Sequence, residues 1–113
     1  MSMTLTIDRS HGRIAVMALH GEIDLQQSPE LRRQLMQCLN DRWDVVVDMA
    51  KVDYIDSSGI ASLVEAFQTG RRLGVRFSLA AVSSAALRVL KLARLDEVFV
   101  IHAGIPAALA ADA

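Results

Sequence analysis

The sequence predicts a small α/β sandwich, a mixed sheet of about five strands with helices packed on it. Three observations carry that prediction. The chain opens on two short β-type segments, helical and strand-like periods alternate after them, and Val45-Val46-Val47 forms the continuous apolar run of a central strand covered on both faces. Parallel strands in such an alternation are joined by right-handed crossovers. With 113 residues, 52% of them hydrophobic and 22% charged, residues 1–113 suit one domain around one core, without a linker or low-complexity stretch.

Each element has its own signal. Leu5 and Ile7, then Ile14 to Leu19, read as an N-terminal hairpin whose turn chemistry comes from Ser10 and Gly12. Ser28 is the expected N-cap of a first helix, with Pro29 at its first position, Glu30 in its first turn and Leu31, Leu35, Met36 and Leu39 on its apolar face, ending near Asn40. After the Val45 strand and a short loop comes a second helix, with an apolar stripe of Ile60, Leu63, Val64 and Phe67 and an end bracketed by Gly70 and Gly74. Val75 to Ala80 gives the next strand. Ser83 or Ser84 caps a third helix, with Leu87, Leu90 and Leu95 inward and Arg88, Lys91 and Arg94 solvated; Val98 to Ile101 completes the strands. Ile105 to Ala111 reads as a short, marginal helix anchored by Ile105 and Leu109.

Composition narrows the function classes. Twelve basic and 13 acidic residues leave a net charge of -1, which offers no general attraction to nucleic acid or an anionic membrane, so a protein partner is the better expectation. The single cysteine, Cys38, excludes an internal disulfide and a thiolate zinc site, and is expected to pack as a small hydrophobe. The segment Met1 to Asp8 lacks the basic start and apolar run of a signal peptide, and no segment reaches the ~20 apolar residues of a membrane span, so a cytoplasmic location is expected. His11, His20 and His102 lack metal spacing, and neither a GxSxG elbow nor a GxxxxGK[ST] loop is present. No metal, no cofactor and no enzymatic activity is expected. A response-regulator receiver would need an acidic pair after its first strand and a lysine after its last, and the chain has neither.

The most informative stretch is Val45 to Gly59, where a strand leads to Asp56-Ser57-Ser58-Gly59 at the start of the second helix. A helix N-terminus offers unpaired N–H groups and the positive end of the macrodipole, so these residues can cap the helix or receive a phosphate.

Three motifs in order, Gly21-Glu22-Ile23-Asp24, Ile55-Asp56-Ser57-Ser58-Gly59-Ile60 and Phe77-Ser78-Leu79-Ala80-Ala81-Val82-Ser83, resemble the STAS family, whose single-domain members act as anti-sigma factor antagonists. The resemblance spans nearly the whole chain and implies the STAS fold. It also implies a phosphoacceptor at Ser57, with Ser58 the second choice, and partners comprising an anti-sigma factor with serine kinase activity and a serine phosphatase. Asp24 matches an aspartate that helps phosphorylation, and is otherwise a turn carboxylate. Asp56 caps the helix or holds Ser57 in place, and Gly59 keeps the first turn uncrowded where a partner or the adjoining strand approaches. The unmodified form is expected to bind and the phosphorylated form to be expelled, because Glu22, Asp24, Asp53 and Asp56 make an acidic rim with only Lys51 near. Glu22, Ser58, Ser62 and Glu65 are candidate partner contacts, although a plain solvated face for Ser62, Glu65, Thr69 and Arg72 is the alternative. The rival reading keeps the fold and makes the chain an accessory subunit of a phospholipid-type ABC transporter, or part of a stress-signalling assembly.

Overall fold

The computed structural model describes residues 3–111; Met1 and Ser2 of the opening segment, and the last two residues, lie outside them. The elements in order are β1 (Met3–His11), β2 (Ile14–Ile23), α1 (Ser28–Asn40), β3 (Asp44–Ile55), α2 (Ser57–Leu73), β4 (Phe77–Ala80), α3 (Ser84–Leu92), β5 (Ile101–His102) and α4 (Ile105–Ala110). One mixed sheet has the order β1-β2-β3-β4-β5, with β1 antiparallel to β2 and the remaining neighbours parallel. The expected α/β sandwich is therefore the observed one.

Strand alternation divides the core. Ala15, Met17 and Leu19 of β2 and Val45, Val47 and Met49 of β3 point to one face, where they meet Leu31, Leu35, Cys38 and Leu39 of α1 and Leu63 and Ala66 of α2. Val46 and Ala80 point to the other, against Ala108 of α4. Each fully buried leucine of this kind contributes about 1.5–3 kcal/mol by leaving water. Cys38 is buried as expected, and burial pushes its thiol pKa up.

Several elements differ from expectation. The apolar run is only the first third of β3, which continues as strand through Lys51 and Asp53 to Ile55; the expected loop before Asp56 is absent. That extension alternates buried and exposed residues irregularly, because its register against β2 shifts twice, between Ala18 and His20 and between Gly21 and Glu22. β4 covers β3 only up to the Asp48–Ala80 pair. Beyond it Ser83 seals the β3 edge: its N–H donates to Met49 O at 3.2 Å, its hydroxyl to Val52 O at 2.7 Å, and its Oγ accepts the Ala86 N–H. Ser83 is thus the α3 cap. Ala86 and Leu90 fill the core from that helix, whereas Leu87 is only partly buried and lies outside the main cluster.

β5 is two residues long, not four, and Val98 and Val100 are exposed because the chain there turns before it pairs. Ala108 rather than Leu109 anchors α4, since the small side chain allows close contact with Val46 and Ala80. The hairpin turn is tighter than the sequence suggests: β1 runs through Ser10 to His11, with an irregular register after Asp8.

Candidate functional site

The site lies where β2 and β3 end side by side. Ile23 pairs with Ile55, and the Asp56 N–H donates to Ile23 O at 3.1 Å, so the loop after β2 and the start of α2 are joined. Only Asp56 separates β3 from α2. Its extended backbone makes it the N-cap, and its Oδ1 accepts the Ser58 N–H at 2.9 Å and the Gly59 N–H at 3.2 Å.

The same oxygen accepts the Ser58 hydroxyl at 2.5 Å. That hydroxyl is the main reason the Asp56 carboxyl lies below its usual range; partial burial opposes the shift, and the N–H groups of Gly59, Ser58 and Leu25 add to it. Ser57 differs from its neighbour. It is exposed, and among the described residues its hydroxyl makes no hydrogen bond. The Ile60 N–H goes to Asp56 O, so Asp56 takes three of the four first-turn amides and leaves the Ser57 N–H over.

Gly59 is buried directly above the two strand ends. A Cβ there would stand 2.7 Å from Ile55 Cγ1 and 2.8 Å from Ile23 Cγ2, so glycine is what lets the first turn of α2 sit on the sheet. Of the two approaches the sequence left open, the structure supplies the strand.

Asp24 follows β2 and closes a turn. Its Oδ1 accepts the N–H groups of Gln26 and Gln27 at 3.0 and 3.2 Å, and its carbonyl accepts those of Gln27 and Ser28. Its Oδ2 makes no hydrogen bond among the described residues. This turn displaces the expected cap of α1: Gln27 occupies the N-cap position without a side-chain bond, and Ser28 is the buried first helical residue, followed by Pro29. Glu22 and Asp53 lie within the last residues of β2 and β3 and not in loops, with Glu22 half-buried beside Tyr54.

The polar side of α2 is solvated only in part: Arg72 is exposed and Glu65 half-buried. Ser62 and Thr69 are buried against α1, with the Ser62 hydroxyl donating to Ser58 O at 3.2 Å and lying 3.5 Å from Ser28 O, and the Thr69 hydroxyl 3.6 Å from Met36 Sδ. Glu65 accepts a two-pronged contact from Arg32 of α1, at 2.7 Å from Nε and 2.6 Å from Nη2. Small polar residues let the two helices approach, so Ser62 is removed from the candidate partner contacts and Glu65 is already engaged within the chain.

Two exposed apolar residues near the site were not anticipated. Leu25, 72% exposed, lies between Asp24 and Gln26, and Tyr54, half-exposed, is two residues before Asp56. Their only sequence signal is a bulky apolar side chain where no periodic pattern calls for one.

Fold and site together define a five-stranded α/β domain that presents one uncommitted serine on a capped helix start. The chain belongs to the STAS domain family, whose model matches residues 7–108. It is 30% identical over 101 residues to the anti-sigma-F factor antagonist RsfB of Mycobacterium tuberculosis, covering 87% of this chain and 80% of that protein. It is 25% identical over 103 residues to the anti-sigma-B factor antagonist of Bacillus subtilis, covering 91% of this chain and 94% of the relative. A crystal structure of an anti-sigma factor antagonist from Mycobacterium paratuberculosis superposes with a TM-score of 0.86 at 26% identity, over 97% of this chain and 93% of that one.

Proposed function

We propose that this chain is an anti-sigma factor antagonist. Unmodified, it binds an anti-sigma factor that is also a serine kinase and so frees a sigma factor; phosphorylation of Ser57 ends the binding, and a serine phosphatase reverses the change. The observation that carries this reading is the pair of serines after Asp56. Ser58 spends its hydroxyl on the Asp56 carboxylate, whereas Ser57 presents an exposed hydroxyl with no internal partner. The named relatives support the choice of partner class.

In the phosphoryl step the Ser57 oxygen attacks the γ-phosphorus of ATP held by the kinase, ADP departs, and the hydroxyl proton leaves with a base. Asp24, held by its turn through Oδ1, has Oδ2 left to help position the hydroxyl. Leu25, exposed beside the Asp56 cap, supplies apolar contact area next to Ser57.

The product carries about -1.5 to -2 charge at neutral pH. Asp56 already occupies all but one of the first-turn amides that would otherwise cradle it, so the new dianion meets a carboxylate at the same helix end. The phosphate therefore stays outward, where it repels an acidic or apolar partner surface and carries a desolvation cost.

The test is mass spectrometry of proteins copurifying with a tagged chain from its own cells, with the Ser57 peptide read in the bound fraction. A kinase-like ATPase bound to chain unmodified at Ser57 is the expected result. A membrane permease with its ATPase subunit would replace this reading with the transporter one.

A further inference from the structure

A concavity lies at the opposite end of the sheet from Ser57. Where β3 and β4 begin, a cleft of about 350 Å3 opens, walled by Val45, Phe67, Val75, Phe77, Val100 and Ala108. Clefts of that order with mainly apolar walls and a few placed polar groups are the ordinary form of small-molecule sites, and Ser78 and His102 also line this one. β5 pairs with β4 only from Leu79 onward, and the N–H groups of Leu79 and Ala81 donate to Val100 O and His102 O. By two-residue alternation the N–H and C=O of Phe77 point toward that same side, where β5 has not yet begun.

Charge decides the ligand class. Arg71 lines the cleft, its guanidinium carbon 5.7 Å from the centre of the Phe67 ring. Among the described residues it has no carboxylate partner. Asp44 also lines the cleft, but its Oδ1 accepts the Arg76 N–H at 2.8 Å, while the Arg76 guanidinium, on the same wall, donates to Ala111 O at 3.3 Å. We propose that this cleft binds a small amphiphilic carboxylate, its acyl chain against Phe67, Phe77 and Val100 and its carboxylate on Arg71. A neutral amphiphile leaves the guanidinium unused, and a small polar anion leaves the apolar walls wet. Ser57 and Arg71 stand at opposite ends of α2, about 21 Å apart by helical rise, so the site is separate from the serine.

The experiment is an NMR titration of the whole chain with sodium octanoate, hexanoate and 1-octanol. Octanoate should give saturable shifts confined to the methyls of Val45, Val75, Val100 and Ala108. It should bind roughly fifteenfold more tightly than hexanoate, since each of its two extra buried methylenes is worth about 0.8 kcal/mol, or fourfold. Arg71→Met, a change at an exposed position, should keep the wild-type spectrum, weaken octanoate about tenfold and leave 1-octanol unchanged, as expected for a lost charge-assisted contact. Non-saturating or scattered shifts would overturn the site. Equal binding of octanol and octanoate, or octanoate binding that ignores Arg71→Met, would overturn the carboxylate.

Discussion

The Ser58 hydroxyl donates to Asp56 Oδ1 at 2.5 Å, on the same oxygen that takes the N–H groups of Ser58 and Gly59. One carboxylate oxygen thus caps α2 and holds one serine, while the adjacent Ser57 is left exposed. The two serines should therefore separate in stability as well as in chemistry. Ser57→Ala should change folding free energy by less than about 0.5 kcal/mol, as a surface substitution without a partner does. Ser58→Ala loses a hydrogen bond to a half-exposed carboxylate and should cost about 0.5–1 kcal/mol. Urea denaturation of both variants measures the difference, and equal losses would mean that the Ser58–Asp56 bond is not formed in solution.

Asp56 makes the start of α2 sensitive to acid. Its carboxyl is held below the usual range by the Ser58 hydroxyl first and the helix amides after it. A carboxyl whose pKa falls on folding stabilises the protein above its unfolded value, near about 3.9, and that stabilisation fades as pH drops through the folded pKa. Asparagine caps about as well but carries no charge for the helix dipole. Wild type should therefore exceed Asp56→Asn in stability at about pH 7, with the gap narrowing as pH falls below about 3.9. Denaturation curves on both sides of that value decide it; a gap that persists undiminished in acid would assign the advantage to something other than this carboxylate.

Gly59→Ala sets helix propensity against packing. Alanine is favoured in a helix interior by about 1 kcal/mol. The added Cβ, however, meets Ile55 Cγ1 and Ile23 Cγ2 well inside contact distance, and atoms one bond from Cβ cannot swing away. Overpacking of this kind costs about 1–3 kcal/mol. The variant should be less stable than wild type, and Ile23→Ala, which removes one of the two obstructing atoms, should cost less in the Gly59→Ala background than alone. A more stable Gly59→Ala would show that the helix start can lift off the sheet.

Ser62→Leu tests the other side of α2. On a solvated face the change would be close to neutral. Buried between α1 and α2, the larger side chain should instead push the helices apart and lower stability by about 1–3 kcal/mol. Thermal unfolding is the measurement, and an unchanged midpoint would return Ser62 to the surface.

Phosphorylation should not knit the helix start together. With two first-turn amides already on Asp56 Oδ1, the Ser57 phosphate gains little from the helix end in the chain and should gain more in Asp56→Ala, where those amides are free. Comparing the unfolding of modified and unmodified forms in both backgrounds reads this directly. Equal effects in the two would show that phosphate and carboxylate do not compete.

What the sequence by itself determined is the local grammar. The capping capacity of Asp56, the glycine closing α2 at Gly74, a serine cap at position 83 or 84 and the order of helices and strands are relations among residues within a few positions of each other. Their physics is complete in short segments, through capping, turn conformation and periodicity, and the family resemblance arose from the same segments. Tertiary structure alone decided which faces meet. Periodicity marks Ser62 and Thr69 as off the apolar stripe, but only the approach of α1 turns them into buried contacts. The length of β3, the reduction of β5 to two residues and the choice of Ala108 over Leu109 were likewise set by neighbours distant in the chain. So was the need for glycine at position 59, which comes from Ile23 as well as Ile55. Burial and close approach are properties of pairs of elements, and a one-dimensional pattern records only each element's own side of the pair.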